Sequence, residues 1–111
     1  MISDFSSRSP QPGQHVIYAT MNGCPHCVEF SPMVEDASYR VPVPIYVADD
    51  THHVALQSQY GQYIQGFPSL LFVDIDGSVS VFDHFRSPQN VADWISIHAN
   101  RQTSEPMAFN F

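Results

Sequence analysis

The sequence predicts an α/β fold, a mixed four-stranded sheet flanked by helices, and three observations carry that prediction. Short apolar runs alternate with stretches of helical periodicity through most of the 111 residues. Two strand-like runs, Ser69–Ile75 and Ser78–Asp83, flank Asp76-Gly77, a dipeptide that is the strongest short-range hairpin signal. The only two cysteines stand three positions apart in Cys24-Pro25-His26-Cys27, where a strand-like run gives way to a helical one.

Taken in order, residues 1–14 read as a flexible arm, because Ser6 to Gln14 is rich in Ser, Pro, Gln and Gly and has no apolar period. His15–Thr20 is the first strand, with Val16-Ile17-Tyr18-Ala19 buried and central. Asn22-Gly23 turns the chain into the first helix, and Pro25 suits its first turn, where a missing N–H costs nothing. Cys27, Phe30, Val34 and Ala37 recur at helical spacing and face the core. Pro32 interrupts that helix and removes one of its hydrogen bonds.

Val41–Val47 reads as the second strand, its first half confined to an edge or a strand start by Pro42 and Pro44. Asp49-Asp50-Thr51 starts a polar helix through about Tyr63, the acidic pair acting as caps rather than metal ligands. His52 and His53 read as solvated first-turn residues. In the hairpin's second strand Val79 and Val81 face one side, and Ser78, Ser80 and Phe82 the other. Ser87-Pro88 opens a last helix whose apolar stripe is Val91, Trp94, Ile95 and His98. The domain is thus predicted over residues 15–100, with 101–111 as a tail.

Eleven acids against four arginines, with no lysine, leave a formal net charge of −7. That balance argues against a nucleic-acid partner or an anionic membrane surface. No apolar run approaches a membrane span, and Met1-Ile2-Ser3-Asp4-Phe5 lacks the regions of a secretory signal. The expectation is a cytoplasmic monomer. In a reducing compartment a lone Cys-x-x-Cys pair is catalytic more often than structural.

The spacing itself supplies a chemistry. Two cysteines one helical turn apart lie on nearly the same face, within disulfide reach when the first sits at the helix start. There the free backbone N–H groups and the helix dipole favour a thiolate, and His26 adds a further donor. Cys24 becomes the attacking thiol and Cys27 the resolving one. Half a zinc site has the same spacing, but it needs two more ligands, and only histidines, with His52-His53 the one cluster, could provide them. A structural disulfide closing so small a loop would constrain the unfolded chain little. Redox chemistry with no cofactor and no metal is the favoured reading.

From about Val16 to Ile97 the chain resembles the thioredoxin superfamily, on three separated features. These are Cys24-Pro25-His26-Cys27 after a buried strand, Pro32 eight residues after Cys24, and Tyr60-Gly61-Gln62-Tyr63-Ile64-Gln65-Gly66-Phe67-Pro68 leading into the hairpin. The resemblance implies a cis Pro68 facing the cysteines, with Phe67 offering its backbone to an extended substrate strand beside Gly23. A trans proline that merely starts a strand is the plainer alternative. The departures are specific. Gly23 stands where thioredoxins usually carry Trp, and Tyr18 where they keep a buried Asp. Only about fifteen residues precede the first strand, so the chain looks like the minimal glutaredoxin-type version, without that group's Cys-Pro-Tyr-Cys or its glutathione residues. Cys-Pro-His-Cys is similar to the tetrapeptide of bacterial disulfide-forming oxidases, whose large helical insertion has no room here.

The resemblance implies a thiol–disulfide oxidoreductase serving electron transport and redox homeostasis. Cys24, Cys27, His26 and Pro25 would form the catalytic group, and Gly23, Phe67 and Pro68 would bind substrate. Its partners would be protein disulfides and an electron donor such as a reductase or glutathione. The alternative is a binding module of the same fold whose cysteines seldom turn over.

Overall fold

The computed structural model describes residues 2–5 and 13–107, with side chains up to residue 99. Five strands form one mixed sheet in the order β1-β3-β2-β4-β5. They are β1 (Ile2–Asp4), β2 (His15–Ala19), β3 (Ile45–Ala48), β4 (Ser69–Val73) and β5 (Val79–Val81). The helices are α1 (Pro25–Ser38), α2 (His53–Tyr60) and α3 (Pro88–Met107), and short 3₁₀ turns flank α2 at Asp50–His52 and Gly61–Tyr63.

The alternation along β2 explains the layers. Val16 and Tyr18 point into one core with Phe30, Val34 and Ala37 of α1 and Val91, Trp94 and Ile95 of α3. Ile17 and Ala19 point the other way, into a second core with Leu56 of α2 and Phe5. β4 does the same, sending Leu70 and Phe72 to the first core and Leu71 and Val73 to the second. Every residue of β2 is buried, as a central strand covered on both faces requires. β2 runs parallel to β3 through the α1 crossover and antiparallel to β4.

The structure adds a fifth strand to the four predicted from sequence. β1 lies within the segment read as a flexible arm, pairs parallel with β3, and is followed by buried Phe5. Its own three side chains are exposed, so backbone pairing and the Phe5 anchor hold it rather than an apolar pattern. At the other end α3 continues to Met107, past the predicted boundary at residue 100. Residues 1 and 6–12 of the arm and 108–111 of the tail lie outside the described residues.

Smaller differences have local causes. β3 starts at Ile45, after both prolines, and the Pro44 carbonyl accepts the Val16 N–H at 2.9 Å. The hairpin turn closes at Asp74, whose N–H donates to Ser78 O and whose carbonyl accepts from Gly77, with Gly77 at φ +88°. Pro32 lies inside a continuous α1. Among the described residues no helix is long and apolar enough to cross a membrane.

Candidate active site

The end of β2, the start of α1 and the segment before β4 converge on Cys24. Between β2 and α1 the chain turns at Gly23, whose φ of +78° is open to glycine and strained for other residues. The preceding Asn22 donates its N–H to the Asp50 carboxylate at 3.1 Å, tying this loop to the segment after β3. Asp49 caps that segment through the Thr51 N–H at 2.9 Å, while His52 accepts the Asp49 N–H, so the acidic pair divides between capping and loop anchoring.

Cys24 is the N-cap of α1, in extended conformation, and Pro25 opens the helix. Its sulfur accepts the Cys27 backbone N–H at 3.2 Å and faces the Phe67 carbonyl oxygen at 3.7 Å. The Phe67–Pro68 peptide is cis. Beside it a cleft of about 590 Å³ is lined by Phe67, Pro68, Tyr63, Gln65, Asp83 and Arg86. Gly23, Cys24, Phe67 and Pro68 are therefore brought together, Gly23 by chain continuity and the other pair across the fold.

The two thiols differ in environment. Both are free, Cys24 half-buried and Cys27 only 2% exposed. Burial pushes the Cys27 thiol up from its ordinary 9.0, and the neighbouring Cys24 adds to the effect, against lowering contributions from the Thr20 hydroxyl and the Met21 backbone. A partly open sulfur at a helix start can attack a disulfide sulfur as a thiolate, and the second sulfur behind it, once deprotonated, can attack the resulting mixed disulfide and release the bound thiolate.

His26 points elsewhere than the sequence suggests. Its ring nitrogen lies 3.6 Å from a Glu29 carboxylate oxygen, and both side chains are exposed. His52 and His53 are not solvated: both are half-buried, His52 packing edge-on to Phe5 and His53 lying 6.0 Å from the Phe67 ring. His53 thereby supports the segment that faces Cys24. No group of three or more His, Cys, Asp or Glu that could hold a metal comes together among the described residues. Trp94 is buried, and His98 packs on it and on Phe72, as the apolar stripe of α3 predicts.

One cluster escaped sequence reading. The Tyr18 phenol bonds to Ser31 Oγ at 2.7 Å and donates to the Cys27 carbonyl at 3.4 Å. The signal was the spacing of Cys27 and Ser31, four residues apart on one helix face, opposite a buried tyrosine of β2.

No protein-family model matches the chain, and no curated protein matches it. Solved structures do. The J-Trx1 fragment of ERdj5 superposes with a TM-score of 0.76 at 16% identity, over 87% of this chain and 49% of that one. Trxlp from Edwardsiella tarda EIB202 gives 0.66 at 14% identity, over 86% of this chain and 99% of that one. A thioredoxin from Aeropyrum pernix gives 0.60 at 20% identity, over 81% and 75%. The chain spans about half the length of the ERdj5 fragment. At these identities the likeness is one of fold. The chain has the thioredoxin fold, with a Cys-x-x-Cys pair at the start of its first helix.

Proposed function

We propose that the protein is a thiol–disulfide oxidoreductase acting on protein disulfides through Cys24 and Cys27. The observation that carries this reading is the position of the Cys24 sulfur, between the Cys27 N–H and the Phe67 carbonyl beside Pro68. A substrate strand laid along Phe67 would bring its disulfide to that sulfur. The Cys24 thiolate attacks one substrate sulfur, the substrate S–S bond breaks, and a mixed disulfide forms as the other sulfur leaves as thiolate. Cys27 then loses its proton and attacks the Cys24 sulfur, which releases the second substrate thiolate and leaves the Cys24–Cys27 disulfide. An electron donor, a reductase or glutathione, restores the dithiol, and the reverse sequence oxidises a substrate.

A second reading, a binding module with little turnover, draws on the burial of Cys27, which keeps that sulfur protonated. Reduction of a protein disulfide by the purified chain with dithiothreitol as electron source separates the two. The oxidoreductase reading expects acceleration over dithiothreitol alone and its loss in Cys24→Ser. Acceleration that is absent, or that survives Cys24→Ser, supports the module.

A further inference from the structure

The cleft beside Pro68 carries two charges, Asp83 and Arg86, on walls that are otherwise neutral. They are held differently. The Asp83 side chain is 85% exposed, with a carboxylate oxygen 3.7 Å from a His84 ring nitrogen, so solvent and salt screen it. Arg86 sets its guanidinium 5.2 Å from the centre of the Phe30 ring, and Phe30 is itself buried and stacked on Phe82. The ring face attracts the cation and orients the planar fork over a fixed part of the core. Among the described residues no carboxylate pairs with Arg86, whereas Arg40 holds Asp36 at 2.6 Å. In a chain of eleven acids and four arginines, Arg86 thus keeps its donors open at the cleft.

The substrate path leads to the same place. Phe67, whose carbonyl faces the Cys24 sulfur at 3.7 Å, is also part of the cleft wall, and so is Pro68. An extended strand rises about 3.3 Å per residue, so side chains entering the cleft from a strand laid along Phe67 belong to residues close to the reacting cysteine. A carboxylate there would meet an open guanidinium and could accept two parallel N–H bonds from it. Resting on the oxidoreductase reading, we infer that Arg86 is a specificity residue, selecting protein disulfides whose reacting cysteine has Asp or Glu beside it in the chain. Arg86 acts on which disulfide is held and not on the exchange itself. Asp83 opposes the selection, and its exposure limits how strongly. The net charge of −7 repels an acidic client at long range, but salt screens that repulsion beyond about 8–10 Å, and the contact at Arg86 is much closer.

The test uses two peptide disulfides that differ only in a Glu or a Gln next to the cysteine, reduced by the purified chain with dithiothreitol as electron source. Rates with dithiothreitol alone correct for the intrinsic reactivity of each peptide. The quantity read is kcat/KM for the Glu peptide divided by that for the Gln peptide. Arg86→Met keeps an apolar stem over Phe30 and removes the fork. Selection by Arg86 predicts that the ratio falls about fivefold in this variant, mainly through a higher KM for the Glu peptide. Arg86→Lys, which keeps the charge without the fork, should retain part of the preference. The difference between wild type and Arg86→Met should shrink in about 1 M salt. A ratio that is the same in wild type and both variants, or a fall that salt does not diminish, overturns the selection while reduction of both peptides leaves the oxidoreductase reading standing. A wild-type chain that reduces neither peptide faster than dithiothreitol alone overturns the oxidoreductase reading, and the selection with it.

Discussion

The carbonyl of Phe67 lies 3.7 Å from the sulfur of Cys24, so two positions forty-three residues apart share one reactive atom. In the proposed function Phe67 supplies a backbone edge for the substrate and Cys24, at the head of α1, supplies the nucleophile, so neither places a substrate disulfide alone.

That division of labour between the thiols predicts an asymmetric pair of variants. Cys27→Ser should accumulate a mixed disulfide between Cys24 and substrate, visible as a mass adduct that dithiothreitol removes. Cys24→Ser should accumulate none, because the remaining thiol is buried. Equal trapping by both variants would show that Cys27 also meets substrate directly.

Gly23 predicts a stability cost at the site itself. At φ +78° an added Cβ meets no neighbour within 4 Å, so Gly23→Ala is opposed only by backbone strain. The expected loss is about 1–2 kcal/mol, read from urea unfolding. Because this turn delivers Cys24, the variant should also react more slowly with a small disulfide reagent through Cys24. Unchanged stability would mean that the turn relaxes to another conformation.

Phe30 anchors the core beneath the site. It is 2% exposed, packs edge-on to Tyr18, stacks on Phe82, and carries the Arg86 guanidinium 5.2 Å above its ring. Phe30→Ala should cost about 3–5 kcal/mol, and Phe30→Leu much less, by thermal or denaturant unfolding. A loss below about 1 kcal/mol would place the core elsewhere.

Alkaline pH should destabilise the fold. Cys27, Tyr18 and Tyr60 hold their protons more tightly folded than unfolded, chiefly because burial disfavours the anion. The unfolded chain therefore ionises first, from the ordinary 9.0 of a thiol and 10.0 of a phenol. Between those values and the raised folded ones the folded state binds more protons, so stability falls as pH rises; below them it is fully present. The melting temperature should decline from about pH 9 upward, and Tyr60→Phe should flatten part of the decline. A level profile through that range contradicts the burial of these groups.

What was legible in the sequence is what local chemistry dictates. The stripe Cys27, Phe30, Val34 and Ala37 needs only a 3.6-residue period, and Asp76-Gly77 needs only a turn preference. β1 could not be read, because three exposed residues with no alternation are held by pairing to β3 and by Phe5, both distant in sequence. The same holds for His52 and His53, whose partners Phe5 and Phe67 lie far along the chain. The motif suggests His26 as a further donor to Cys24, two residues before it, whereas helix geometry sets its ring beside Glu29, one turn on. Tyr18 was visible as a departure from the pattern the chain resembles, but its bond to Ser31 required the register of β2 against α1.

The most direct test of the central claim is equilibration of the protein in glutathione buffers of graded potential, counting free thiols at each point. The account predicts a single reversible transition from two thiols to none, belonging to Cys24 and Cys27 together and lost in either serine variant. A pair that never closes, or closes without reopening, contradicts it.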